Sequence, residues 1–206
     1  MKSGMKIIVT IIIAIIVILV LGIITNVIRN NIIMKKLYEN SSELKTSIKN
    51  YYYEKKSELS EGETRTTTYK IYNYNDKYLI KEYYNDEGNI TTEWIDKSIP
   101  EYVSINEKTG EKTQEIKMKE YDKEYEEALF STTIDTVGYG KILTANIFTP
   151  IKIEDNCYVI NYDNTTFYVN TNTGIISKVF YGNGNVSCTY KLKNNSVIEN
   201  EVIKPE

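Results

Sequence analysis

Eighteen consecutive uncharged residues, IIVTIIIAIIVILVLGII from Ile7 to Ile24, constrain this chain more than anything that follows them. Val27 and Ile28 extend the run past a single Asn26. At about 1.5 Å per residue, roughly 20 residues cross a hydrocarbon core, so residues 7–28 are expected to form a transmembrane helix. A cleaved signal peptide has a shorter apolar stretch followed by small residues at the cleavage site, and neither feature is present here. Nor do buried core helices often run this long with apolar residues on every face.

Charge does not decide the orientation. Lys2, Lys6 and the α-amino group face Arg29, Lys35 and Lys36 across the span, which is a tie under the positive-inside rule. Residues 1–6 are too short to form a domain, and the mass beyond the span is rich in Tyr, Thr and Asn and holds both cysteines. The expected topology is therefore a single-pass protein of the cell membrane, with a cytoplasmic tail (1–6), an anchor (7–28) and an extracytoplasmic remainder.

Composition narrows the chemistry of that remainder. The chain has 206 residues and no histidine, which excludes Ser-His-Asp triads, Cys-His dyads, His-ligated zinc and His pH switches. Its formal net charge is −3, and setting aside Lys2 and Lys6 makes the remainder more acidic still, so no nucleic-acid partner is expected. No glycine-rich phosphate loop, GxSxG elbow, CxxC pair or paired metal ligands occurs. The chain is accordingly read as a non-enzyme with no cofactor and no metal.

Residues 29–62 are expected to be a juxtamembrane helix, because Ile33, Leu37, Leu44, Ile48 and Tyr52 fall on one stripe among Lys, Glu, Ser and Asn. From residue 63 the period changes to two. Runs rich in β-branched and aromatic residues predict strands at Thr64–Tyr74, Lys77–Tyr84, Ile90–Asp96, Tyr102–Asn106 and Lys112–Lys117. Residues 118–147 break that rhythm and predict a helical insert, with Gly138 and Gly140 as its break. Strands resume at Ile151–Ile153, Cys157–Tyr162, Thr166–Asn170, Ile175–Tyr181 and Val186–Lys193, separated by Asn, Asp and Gly turns. The closing VIENEVIKPE reads as an edge segment or a mobile tail. The fold class is α+β, an antiparallel β domain over residues 63–206 with a helical insert.

Few residues stand out as sites. Cys157 and Cys188 lie on the first and last of four meander strands, about three spacings of 4.8 Å apart, whereas a disulfide needs Cα atoms within about 7 Å. They meet only if the sheet curls or splits into layers; otherwise they are free buried thiols. The acidic stretch Glu115, Glu120, Asp122, Glu124, Glu126 and Glu127 is interleaved with Lys117, Lys119 and Lys123, the pattern of a solvated helix face.

The order of anchor, helix, β meander, helical insert and second meander resembles the half-barrel superfamily of the bacterial lipoprotein carrier LolA and the envelope sensor RseB. The local echoes are EWIDKSIPEYVSINEKTGEKTQEI in the first half, and NCYVINYDNTTFYVNTNTGIISKVF and YKLKNNSVIENEVIKPE in the second. The resemblance covers roughly residues 30–206. It implies a curved antiparallel sheet around an apolar concavity partly plugged by helices. By that resemblance, Trp94, Ile95, Val103, Ile105, Val159, Phe167 and Val179 line or plug the concavity, and an acyl chain, another hydrophobic ligand or an envelope protein is the expected partner. Because the chain stays tethered by its own helix, a static binder, sensor or accessory factor fits better than a diffusing carrier. The alternative is a structural subunit of pilin-like type, which shares the apolar helix leading into a sheet, although Val9 stands where a pilin has its glutamate.

Overall fold

A computed structural model describes residues 2–61, 63–75, 77–84, 89–99, 101–115, 132–182 and 185–205. The apolar run and the stripe after it form one uninterrupted helix, α1 (Lys2–Ser47). Its apolar half is exposed, Ile7 through Leu21 being solvent-facing, and it is long and apolar enough to cross a membrane. The second half buries Ile33, Met34, Leu37 and Ser41, at the spacing that puts residues on one helical face.

The juxtamembrane helix is shorter than the sequence stripe implied, ending at Ser47. Asn50 adopts a left-handed φ of 45°, a conformation that Asn tolerates better than most residues, and the chain reverses into β1 (Tyr52–Glu61). Tyr52 therefore belongs to a strand. The physical reason is pairing on both sides: β1 bonds β2 (Glu63–Tyr74) along one edge and β11 (Val186–Lys193) along the other. Those two ladders outweigh the helical stripe that Ile48 and Tyr52 continue.

From β2 the chain continues through β3 (Lys77–Tyr84), β4 (Asn89–Asp96), β5 (Glu101–Asn106) and β6 (Lys112–Glu115). The second meander is β7 (Lys152–Glu154), β8 (Cys157–Tyr162), β9 (Thr165–Asn170), β10 (Ile176–Tyr181) and β11. Together they make an 11-stranded antiparallel sheet in the order β6-β5-β4-β3-β2-β1-β11-β10-β9-β8-β7. The two meanders are thus joined at β1 and β11. Tight turns suit their residues: Asp155-Asn156 and Asp163-Asn164 each place two successive residues at positive φ, as the favoured two-residue hairpin requires.

The first part of the expected helical insert, residues 118–131 with the acidic stretch beyond Glu115, lies outside the described residues. Its described part is a 3₁₀ turn (Ile134–Thr136) and a short helix, α2 (Tyr139–Ala145), which starts directly after Gly138. Gly140 lies inside α2 and does not break it.

Three clusters of buried side chains fill the domain. The first joins Ile33, Met34 and Leu37 of α1 to Ile142, Ile160, Val169 and Val179. The second surrounds Tyr53, Ile71, Ile80 and Ile95 on the same sheet face, and Tyr190 packs against both. The third, on the opposite face, sets Trp94 and Val103 against Val197 and Val202. The C-terminal segment is therefore packed down, with Trp94 Nε1 donating to the Val202 carbonyl at 3.4 Å and Lys204 Nζ 2.5 Å from Glu101 Oε1. It is neither a sheet edge nor a free tail.

The helix meets the second meander at two places. Near its middle, Asn26 Nδ2 donates to the carbonyls of Asn146 and Ile147 (3.2 and 2.7 Å), and Asn30 Nδ2 to those of Asn146 and Thr149 (2.9 and 3.1 Å). Asn30 Oδ1 accepts from the Ile151 amide at 3.1 Å, and Arg29 Nη2 donates to the Ile151 carbonyl at 3.3 Å. Further along, Gly174 (φ 71°) sits so close to α1 that an added Cβ would lie 2.6 Å from the Leu37 carbonyl oxygen and would also strike Ser41 Oγ. Ser41 Oγ donates to the Gly174 carbonyl at 3.2 Å.

This contact yields a paired prediction. Gly174→Ala combines a left-handed backbone with a clash against helix backbone, so it should destabilise the domain by about 2–4 kcal/mol. Gly182→Ala, at φ 58° with no atom within 4 Å of the added Cβ, should cost only about 1 kcal/mol. Equal shifts in thermal unfolding of the two variants would show that the helix does not press on residue 174.

Candidate functional site

Strand alternation separates the residues that the sequence offered as one concavity. Trp94 pairs with Val103, and Thr92 with Ile105, so Trp94, Val103 and Ile105 share one sheet face. Ile95 pairs with Tyr102 and points to the other face. Phe167 and Val179, partners across β9 and β10, belong to the cluster under α1, while Val159 pairs with Tyr168 on the side away from it. Trp94, Ile95, Val103, Phe167 and Val179 are buried, and Ile105 and Val159 are half-buried. The seven residues contribute to packed cores on both faces and do not line one hollow.

Cys157 and Cys188 are buried free thiols. Strands β9 and β10 stand between theirs, and each sulfur has a local hydroxyl neighbour at 3.3 Å, Ser177 for Cys157 and Ser57 for Cys188. The candidate disulfide does not form, because the sheet keeps the two strands apart.

What the sequence did not single out is the sheet face opposite α1. Two cross-strand rows organise it. The first runs Lys193, Tyr52, Tyr72, Leu79, Trp94 and Val103, and the next runs Lys191, Glu54, Lys70, Lys81 and Thr92. The C-terminal segment covers the Trp94 end of the first row. At its other end, Tyr52, Tyr72, Lys191, Lys193, Ser196, Val197 and Glu201 line a hollow of about 260 Å³.

Lys70 and Lys81 are directly opposed, an arrangement of like charges that destabilises an antiparallel pair. Each ammonium turns aside: Lys70 Nζ lies 4.7 Å from the Tyr83 ring centroid, and Lys81 Nζ lies 3.9 Å from Glu107 Oε1. Lysines lie over rings elsewhere on this face too, Lys178 at 4.3 Å from Phe180 and Lys191 at 6.0 Å from Tyr52. Rings and ammonium groups alternating on a broad sheet suit an anionic or planar group held by charge and stacking. The only advance signal was tyrosine and lysine recurring at strand period in the first meander.

Burial raises the hydroxyl pKa of Tyr52, where a hydrogen bond to Glu54 adds to the effect, and of Tyr72, where Tyr83 and Glu201 do. Burial likewise raises Tyr53 and Tyr190 on the helix-covered face.

Among the described residues, no group of three or more His, Cys, Asp or Glu is placed to hold a metal ion. No protein-family model and no curated protein matches the chain.

Two outcomes follow from this geometry. Denatured, unreduced protein should titrate as two free thiols, whereas none would mean that the strands carrying Cys157 and Cys188 come together. The raised tyrosines favour the neutral ring in the fold, so their stabilisation is complete below the ordinary value of 10.0 and is lost as pH rises above it. Alkaline titration followed by tyrosinate absorbance should show these rings ionising together with loss of structure; their early ionisation in folded protein would contradict the burial.

Proposed function

We propose that this protein is a single-pass, membrane-anchored binding domain, a sensor or accessory factor with a cytoplasmic N-terminus and the sheet outside the cell membrane. On this reading, the sheet is a half-barrel of the LolA and RseB kind whose own helix fills the face that a lipid carrier would need open. The observation that carries the proposal is the continuity of α1, which runs without a break from the exposed apolar half to Met34 and Leu37, both fully buried against the sheet. A domain gripped this way stays at a fixed height and angle to its anchor, which suits recognition of something that comes to the membrane. The tyrosine and lysine face is the surface it presents, and an envelope component carrying anionic groups is the partner that face suits.

Native mass spectrometry of the full chain, taken from its own membrane without delipidation, tests the filled face. The expected result is a mass without a stoichiometric lipid. A discrete one-to-one lipid adduct would place a hydrophobic cargo in the sheet and overturn the reading.

A structural subunit of pilin-like type is the second reading, favoured by the same unbroken helix with its exposed apolar half. Recovery of an intact Met1–Lys6 peptide from the mature protein would exclude it.

A further inference from the structure

The loop that α1 clasps has a height fixed relative to the apolar run. Asn26 and Asn30 hold the carbonyls of Asn146, Ile147 and Thr149. Asn146 is itself braced, its Nδ2 donating to the carbonyls of Ile142 (2.8 Å) and Asn161 (2.9 Å). The loop therefore cannot slide along the helix without breaking bonds on both sides. If the hydrocarbon core begins at Ile7, a thickness of about 30 Å at about 1.5 Å per residue ends it near residue 26. The Ile147 carbonyl, bonded to Asn26, lies at that boundary. The next side chain, Phe148, is 79% exposed.

A second observation agrees. Ile23 is half-buried, while its neighbours Leu21 and Ile24 are 57% and 48% exposed. Ile23 precedes Asn26 on the stripe that continues through Asn30 and Ile33, so the folded domain reaches down beside the last turn of the apolar run. A lone exposed phenyl on a protein surface is ordinary; one fixed at this level is not facing bulk water.

We propose that the Asn146–Pro150 loop is a membrane-contact element, with the Phe148 ring inserted among the headgroups and upper acyl segments of the bilayer that α1 crosses. The inference rests on the membrane-anchored reading above. Phe, with Trp and Leu, is a side chain that interfacial elements bury at the boundary of headgroups and acyl chains, and a helix anchor alone leaves rotation about its axis free. A second contact at the side of the helix removes that freedom and sets which way the tyrosine and lysine face looks.

The test uses the full chain in phosphatidylcholine and phosphatidylglycerol vesicles, with a nitroxide on Phe148→Cys, Ile12→Cys or Asn172→Cys. Both native thiols are buried, so labelling is directed to the introduced residue. Relative accessibility to oxygen and to a water-soluble nickel chelate reports depth. The label at 12 should read deep, the label at 172 aqueous, and the label at 148 several-fold more oxygen-accessible than that at 172 while shallower than that at 12. A deep label at 12 with matching aqueous values at 148 and 172 would overturn the loop contact and leave the anchored reading standing. An aqueous label at 12 would remove the anchored reading itself, and the loop contact with it.

Discussion

The seating of the second half of α1 on the sheet is the contact from which the rest of the structure takes its position. Leu37 and Met34 supply the apolar surface, and burying side chains of this size stabilises by about 1.5–3 kcal/mol each. Gly174 supplies the close approach, since any Cβ there would push the helix away. The asparagines at 26 and 30 add direction, because a set of amide hydrogen bonds to fixed carbonyls allows only one register. Apolar packing alone would tolerate a slipped helix; packing with these bonds does not.

That seating divides the sheet into two surfaces with different duties. The face under α1 is closed, with its apolar residues in contact with the helix or with one another. Among the described residues, the opposite face is covered where the C-terminal segment lies over Trp94, Val103 and their row neighbours. Elsewhere it keeps lysines and tyrosines in rows, and the opposed Lys70 and Lys81 are a local arrangement that stability alone would not select. Such departures from local preference are where function is best sought.

The strands were legible because they carry their own signals. β3, β8 and β11 have the residue bounds that alternation and turn chemistry indicate; Asn75 before β3, Asp155-Asn156 and Asp163-Asn164 on either side of β8, and Asn195 after β11 are at positive φ, a local turn signal that needs no tertiary context. β1 was hidden. Its sequence, YYEKKSELSE, is polar enough to pass for the wet side of a helix, and its two partners, the adjacent β2 and the distant β11, make it a strand. The candidate concavity failed for a related reason: apolar residues such as Trp94 and Ile95 can be recognised singly, but which face each one joins depends on register. The clasp had a visible trace, Asn26 and Asn30 one turn apart at the end of an apolar run, yet the loop it holds is more than a hundred residues away in the chain.

The junction of β1 with β11 also governs when this protein can exist as a folded object. Tyr52 pairs with Lys193, and Leu59 with Val186, so the central ladder joins the first strand made to the last. Until the final strand emerges, β1 has a bare edge in the middle of what will become the sheet, and such edges are templates for unwanted pairing. Closing this long-range contact is slow compared with forming the local hairpins. The domain therefore completes itself only once its last strand is available, because no earlier part of the chain can close the centre of the sheet.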